Sequence, residues 1–386
     1  MQYRKFGKMD WQPSALGFGC MRLPTKSKGF WTSDVIEDEA IQMIRYAIDH
    51  GVNYFDTGYP YHGGFSEKIL GKALKDGYRE KIKIATKSPT FFLKKESDFC
   101  TFLDEQLQRL QTDFIDFYLL HGLDRSRWEK VVKEFEILSK AEEAKKAGKI
   151  GHIGFSFHDR EDAFPIIIDG YDKWEFCQIQ YNYLDTETQA GTKGLKYAAS
   201  KGIPVIIMEP LLGGKLANVP QTIQDIFDSS GLKRPAFDWG LQWVWNHPEV
   251  GFLLSGMSSM EQLKANLQSV EKSGINSMSE KEMAAIASVQ EAFKKMNVIP
   301  CTKCGYCLPC PHGVNIPKNF EMYNDSHAFN DLNGSKKAYK GIGGFFGPQS
   351  LASGCVQCKA CEEKCPQHIP IAEWMPKVHS RLKEES

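Results

Sequence analysis

Eight short apolar runs, each followed by a segment of helical periodicity, constrain this chain more than any other feature. They are Ala15–Gly19, Val52–Phe55, Ile82–Ala85, Phe114–Leu120, Ile150–Phe155, Phe176–Ile179, Val205–Ile207 and Val250–Leu254. Runs of this length and character read as strands buried on both faces. Between them, sets such as Ile36, Ala40, Ile41, Ile44, Ala47 and Ile48, or Val131, Val132, Phe135 and Leu138, fall on one helical face. Eight strand-then-helix units over about 250 residues match an α/β architecture of the TIM (β/α)8 barrel type, with an open doubly wound sheet as the alternative. Tyr3–Gly7 and Trp11–Leu16 are expected to form a hairpin closing the bottom of the barrel. Ser279 and Glu282 are spaced as a capping box opening a helix that runs towards Lys295.

At 386 residues the chain exceeds the size at which a single core usually splits. Pro300 and the cysteine that follows mark the expected boundary: a barrel over residues 1–297 and a small second domain over 298–386. Lys and Arg number 48, as do Asp and Glu, so the formal net charge is zero and gives no global reason to bind nucleic acid or an anionic membrane. The longest apolar stretches, Phe117–Leu120 and Val205–Met208, fall far short of the roughly 20 residues needed to span a bilayer. The opening residues Met1 to Phe6 lack the pattern of a secretory signal, so a cytoplasmic setting is expected.

Chemistry in such a barrel collects where strands end at the C-terminal face. Asp56 follows Val52–Phe55, Tyr61 lies in the next loop, Lys87 follows Ile82–Thr86, and His121 ends Phe117–Leu120. Singly, each has an ordinary structural explanation: a cap, a packed ring or a solvated amine. As a set they describe a proton-transfer device. A free tyrosine has a pKa of about 10, and a buried lysine ammonium favours its phenolate. Asp56 can hold Lys87 charged, and His121 can hydrogen-bond the oxygen of a carbonyl that receives hydride.

On these residues the chain resembles the aldo-keto reductase family over roughly residues 1–295. The matching strings are Asn53-Tyr54-Phe55-Asp56-Thr57-Gly58 with Tyr61, Ser66-Glu67, Ala85-Thr86-Lys87, Tyr118-Leu119-Leu120-His121 and Gly154-Phe155-Ser156. The resemblance implies Tyr61 as general acid or base, with Asp56, Lys87 and His121 in support. It implies that Ser156 and Gln178 contact a nicotinamide carboxamide and that Asn266 contacts the adenine. Ser255, Gly256, Met257 and Ser258 are then expected near the pyrophosphate and ribose, with Met208 and Gln262 also along the cofactor groove. Three positions depart from the family pattern. Phe157 replaces a frequent Asn, Met208 stands where many members stack an aromatic ring, and no basic residue other than Lys264 lies near Gln262 for a 2'-phosphate. NADPH and NADH both stay open. No Gly-x-Gly-x-x-Gly fingerprint is present, which weighs against the doubly wound alternative. Trp31, Tyr59 and Phe65 are candidate pocket aromatics, although packing explains them equally well.

Of the 11 cysteines, eight lie between Cys301 and Cys365, a crowding that in a reducing compartment favours metal or redox work over disulfides. Cys355, Cys358, Cys361 and Cys365, followed by Pro366, have the full ligand spacing of a bacterial ferredoxin run. Cys301, Cys304, Cys307 and Cys310 repeat it with one residue fewer before the last cysteine. Iron-sulfur clusters of the 4Fe-4S type are favoured over zinc, whose sites more usually pair two Cys-x2-Cys knuckles. By resemblance to two-cluster ferredoxins, in which the fourth cysteine of each run ligates the other cluster, Cys301, Cys304, Cys307 and Cys365 would hold one cluster. Cys355, Cys358, Cys361 and Cys310 would hold the second, provided the shortened run lets Cys310 reach. The segment Pro311–Gly354 is long for a connection, and its Lys336, Lys337 and Lys340 read as a solvated face.

Three functions are compatible with this reading. The first is a nicotinamide-dependent oxidoreductase of a small carbonyl or alcohol whose clusters relay electrons to or from a redox protein partner. The second is an electron-transfer protein that uses the barrel as a scaffold, and the third a reductase whose clusters are structural. Clusters pass single electrons and nicotinamide passes hydride, so a flavin would ordinarily mediate. No flavin motif is recognisable. Substrate and oligomeric state have no signature in the sequence.

Overall fold

The structure, a computed structural model, describes residues 1–27 and 32–384; Trp31 lies outside the described residues. The chain divides into two compact units, Met1–Leu216 with Phe237–Met278, and Ala217–Ala236 with Ser279–Ser386.

The first unit is a closed parallel barrel in sequence order. Its strands are β1 (Leu16–Gly19), β2 (Tyr54–Asp56), β3 (Lys83–Ser88), β4 (Ile115–Leu123), β5 (Ile150–Phe157), β6 (Phe176–Gln180), β7 (Val205–Met208) and β8 (Val250–Gly256). Each expected apolar run carries one of them, and the runs are nearly continuous because strands in a closed parallel barrel are covered on both faces. Register aligns the strand ends: Gly19 pairs with Asp56 and Gly256, Asp56 with Ala85, Lys87 with Leu119, and Ser156 with Gln178. The polar residues of the sequence pattern are therefore gathered at one end.

Aromatic side chains fill the other end. The N-terminal segment folds back as an antiparallel pair joined by the bridge Tyr3–Ser14, with Arg4 N donating to Pro13 O at 2.9 Å. It inserts Phe6, whose ring lies 5.2 Å from that of Phe252 and 6.3 Å from that of Phe117. Trp11 meets Phe117 at 5.4 Å. At Gly251 a Cβ would stand 2.7 Å from the Phe6 ring, so only glycine admits this plug. The pattern expected to give one helix through Val131 and Leu138 is interrupted. Glu136 is left-handed at φ 50° and the regular helix begins at Ile137 (Ile137–Lys146). Apolar spacing continues across the break and conceals it.

The second unit contains the helices Gln221–Ser229, Glu280–Met296, Ile316–Ala328, Leu332–Phe346 and Ile371–Leu382. Ser279 and Glu282 form the expected reciprocal capping box. The core gathers Ile299, Val314, Ile316, Phe320, Met375, Val378 and Leu382, and Cys361 is part of it. Cys301, Cys307, Cys310, Cys355 and Cys365 pack against that core. The segment Pro311–Gly354 thus contributes two α-helices and two short 3-10 turns, and its Ile316, Phe320 and Ala352 belong to the core. Lys340 pairs with Glu384 at 2.8 Å. Among the described residues no helix is long and apolar enough to cross a membrane.

Phe117 touches the rings of Phe6, Trp11, Tyr54, His152 and Phe176 at the centre of the barrel. Truncation to alanine leaves a cavity that five surrounding rings cannot fill. Phe117→Ala should cost about 3–5 kcal/mol, read as a lower denaturant midpoint for barrel unfolding; an unchanged midpoint would refute this packing.

Candidate functional site

Asp56 ends β2 and Lys87 lies near the end of β3, 4 % and 1 % exposed respectively. Lys87 Nζ donates to Asp56 Oδ1 at 2.5 Å and to the main-chain oxygen of Thr57 at 2.6 Å. Gln178 on β6 donates to the other carboxylate oxygen, Asp56 Oδ2, at 3.1 Å. Burial alone would lower the Lys87 pKa. The facing Asp56 and Tyr61 overcome it, and the ammonium is held above its ordinary range.

Tyr61 reaches this pair from a tight loop. His62, Gly63 and Gly64 are all left-handed, at φ 52°, 63° and 87°, which turns the chain sharply behind the tyrosine. The ring is 8 % exposed, with Lys87 Nζ 4.9 Å from its centroid. Gly58 leaves it room, since a Cβ there would stand 3.0 Å from Tyr61 Cζ. Lys87 favours the phenolate through charge and hydrogen bonding, as expected from the sequence. Burial outweighs it, however, and the phenol sits above its usual value, retaining its proton.

His121, in β4, stands edge-to-face with Tyr61 at 5.7 Å between centroids. Burial, then the positive charges of Lys87, His158 and Arg127, push its pKa well below the ordinary histidine value. A neutral imidazole carries one N–H donor and one acceptor. Its Nδ1 is buried without a hydrogen-bond partner among the described residues. Phe91 packs 5.3 Å from the imidazole. Tyr59, in contrast, spends its hydroxyl on Glu105 at 2.8 Å and its ring on Arg109, Phe92 and Phe102. Phe65 is 44 % exposed under Lys68.

A second buried carboxylate braces the site. Glu67, 0 % exposed in the helix Phe65–Ala73, accepts from Thr86 Oγ1 and Gln106 Nε2, each at 2.7 Å, and from Arg109 at 3.2 Å. Gln106 Nε2 also lies 3.1 Å from the main-chain oxygen of Lys87, while Tyr118 donates to Gln106 Oε1 at 2.7 Å. Ser66 donates to Cys20 O at 2.9 Å, which leaves Thr57 Oγ1 as the donor to Ser66 at 2.8 Å. One helix turn therefore fixes the strand ends that carry both Asp56 and Lys87. The sequence string Ser66-Glu67 was visible, but not this bracing.

Of the residues expected along a cofactor groove, Ser156, Gln178, Met208, Ser255 and Gly256 lie on β5 to β8, Met257 and Ser258 follow β8, and Gln262 and Asn266 lie on the helix Met260–Val270. Ser156 Oγ accepts from Gly122 N at 2.8 Å, leaving its own proton to donate, and Gln178 keeps its amide oxygen. Asn266 donates to Ser255 Oγ at 2.8 Å, and both are buried with Met257 beneath the exposed Gly256, Ser258 and Gln262. Gln262 accepts from Ser258 N at 2.8 Å. Met208 is half-buried at the end of β7. The barrel also brings in a residue that sequence spacing could not reveal. Arg22 lies along Gly256, where a Cβ would stand 2.9 Å from its Cδ, and its main-chain oxygen accepts from Ser258 at 2.9 Å. Barrel closure, pairing β1 with β8, is what supplies this cation.

In the second unit, Cys301, Cys304, Cys307 and Cys365 line one small cavity walled by Ile316, Phe320 and Ile369. Cys310 and Cys355 pack against the core that includes Cys361. Burial, followed by neighbouring thiols, pushes Cys307 up to about 12 and Cys361 up to about 11, so these thiols keep their protons until a cation compensates. Among the described residues no three metal-binding side chains converge on a single-ion position. Cys301, Cys304, Cys307 and Cys365 surround a gap instead, and a donor set of thiols alone fits the requirements of a 4Fe-4S cluster.

The neutral His121 gives a pH prediction. Its folded pKa is depressed, so below the unfolded value of about 6.5 the unfolded chain binds a proton that the folded chain does not. Stability present above that pH is lost as pH falls, by up to about 1.4 kcal/mol per unit. His121→Gln should show a shallower loss between pH 7 and 5 in urea titrations; equal slopes would contradict a neutral His121.

Comparison with known proteins identifies the family of the barrel and the class of the second unit. Residues 15–291 match the aldo/keto reductase family, and residues 300–369 match a 4Fe-4S dicluster domain. L-galactose dehydrogenase from Arabidopsis thaliana is 28% identical over 321 residues, covering 77% of this chain and 96% of that protein. Among solved structures, the holo form of aldo-keto reductase AKR11C1 from Bacillus halodurans is 27% identical with a TM-score of 0.61, covering 75% of this chain and 96% of its own. The thermostable aldo-keto reductase Tm1743, solved with the inhibitor epalrestat, is 28% identical with a TM-score of 0.63, covering 75% and 100%. The chain belongs to the aldo/keto reductase family of oxidoreductases and carries a 4Fe-4S dicluster domain at its C-terminal end.

Proposed function

We propose that the barrel interconverts a small aldehyde or ketone and its alcohol with NADPH or NADH, and that Tyr61 is the proton donor and acceptor. The observation that carries this reading is the contact of Tyr61 with a lysine ammonium that is itself fixed by Asp56. When bound, the nicotinamide supplies or takes the hydride. Ser156 and Gln178 would hold its carboxamide, Asn266 and Gln262 the adenosine end, and Ser255 to Ser258 the diphosphate and ribose. Met208 would pack against the ring, and Arg22 supplies positive charge beside Gly256.

In the reducing direction the carbonyl carbon gains hydride and the oxygen gains a proton, giving the alcohol. Tyr61 delivers that proton. Burial keeps the phenol protonated beforehand, and Lys87 stabilises the phenolate it leaves. Asp56 keeps Lys87 charged throughout, so the net charge of the pair stays fixed while Tyr61 cycles. His121, neutral, donates its single N–H to the carbonyl oxygen without competing as an acid.

We assign the carbonyl chemistry to residues 1–297 and the clusters to residues 298–386. Cys301, Cys304, Cys307 and Cys365 would hold one cluster, and Cys310, Cys355, Cys358 and Cys361 the other. When bound, the clusters supply one-electron chemistry for exchange with a redox partner. Cys304 and Cys358 are exposed, as are their neighbours Tyr306 and Val356, and this favours exchange at the surface. A structural role is the second reading. It is favoured by the packing of cysteines from both runs into the core of their unit.

Tyr61→Phe should lower carbonyl turnover by about a hundred-fold to ten-thousand-fold while leaving iron and sulfide content unchanged; undiminished turnover across aldehydes and ketones would reject the acid assignment. Under anaerobic conditions, addition of NADPH or NADH with free flavin should bleach the visible cluster absorbance and produce a paramagnetic signal. No change with either nucleotide would favour the structural role.

A further inference from the structure

Each cysteine run begins where a buried asparagine of the helix Ile316–Ala328 takes hold of the backbone. Asn324 accepts from Ile299 N at 2.9 Å and donates to Ile299 O at 2.8 Å. That same oxygen accepts from Cys301 N at 2.7 Å. Asn319 donates to Ser350 O at 2.8 Å and accepts from Ala352 N at 2.8 Å. The oxygen of Ala352 in turn accepts from Cys355 N at 3.2 Å. The two arrangements are parallel: an asparagine amide grips both polarities of the backbone, and a gripped residue receives the N–H of the first cysteine of a run.

Five helix positions separate the two asparagines, which directs their side chains about 140° apart at 3.6 residues per turn. One helix can therefore serve two segments on different sides of itself. Asn319 is fully buried and Asn324 nearly so. A primary amide satisfies a backbone acceptor through its nitrogen and a backbone donor through its oxygen, and a buried backbone group left without its partner is costly. A cubane needs several thiolates presented at once, and a backbone fixed beforehand lowers the ordering cost of capturing it.

We propose that Asn324 and Asn319 are positioning residues for the metal centre, Asn324 setting the run that opens with Cys301 and Asn319 the run that opens with Cys355. The helix between the runs is then a two-sided clamp, each side acting on one ligand loop. The inference rests on the reading of the eight cysteines as two cluster sites. It assigns a role to the long intervening segment beyond filling the core.

The test uses the full chain, purified anaerobically and reconstituted with iron and sulfide. Asn324→Leu and Asn319→Leu remove both grips on the backbone of the run, Asn319→Leu also losing the bond to Asn315 O at 2.7 Å; Asn324→Asp and Asn319→Asp retain the acceptor, and circular dichroism of every variant establishes that it folds. Iron and sulfide content, release of iron to a chelator, and the paramagnetic spectrum after dithionite reduction are compared with the parent chain. Each leucine variant should lose about half the iron, or release that half about ten-fold faster, and the spectrum should change from that of two interacting clusters to that of one. The residual spectra of the two variants should differ, with the aspartate variants intermediate. Equal retention in all variants would overturn the proposal. So would loss of both clusters together in folded single variants, which marks a general structural role. A parent chain that assembles no iron-sulfur at all would instead reject the underlying assignment of the cysteines.

Discussion

A lysine ammonium and an aspartate carboxylate, both withdrawn from water, meet at 2.5 Å where β2 and β3 end. Removing either partner would leave an uncompensated buried charge, an outcome costing about 3–5 kcal/mol in comparable pairs. The surrounding structure is arranged to keep the pair intact. Gln178 satisfies the second carboxylate oxygen from across the barrel, and Thr57 O takes another ammonium proton. Glu67 and Gln106 brace the same strand ends from behind. Tyr61 is placed to face this fixed charge by the sharp turn that His62, Gly63 and Gly64 make behind it.

Much of this was legible in the sequence because strands in a closed barrel announce themselves. Runs such as Val205–Ile207 are covered on both faces and cannot alternate with polar residues. Asp56, Lys87 and His121 could be picked out because each stands at the end of such a run, and parallel register carries those ends to one face. What could not be read depends on closure. Arg22 reaches Gly256 only because β1 pairs with β8, and Gln178 finds Asp56 only across the barrel. The balance at Tyr61 was half visible. The residue types show that Lys87 favours the phenolate, but burial, which wins, is a property of the folded site.

The cysteine unit shows the same division. Spacing pointed to the eight cysteines as the candidate ligands, since three thiols at two-residue intervals have few other uses. It could not show that Pro311–Gly354 folds into helices supplying the core beneath them, because Ile316, Phe320 and Tyr339 are too sparse to declare a core without their partners Met375 and Val378. The one-residue shortening before Cys310 leaves that thiol packed against the same core as Cys361.

Hydride transfer beside Tyr61 is the claim on which the functional account rests, and isotope tracing tests it most directly. Reduced nicotinamide nucleotide carrying deuterium at both positions of its hydride-donating carbon, incubated with the full chain and a small aldehyde, should yield alcohol with one deuterium on the carbinol carbon and none on oxygen after exchange with water. Alcohol formed without that carbon-bound deuterium would mean that the reducing electrons arrive by another route, and would contradict the account.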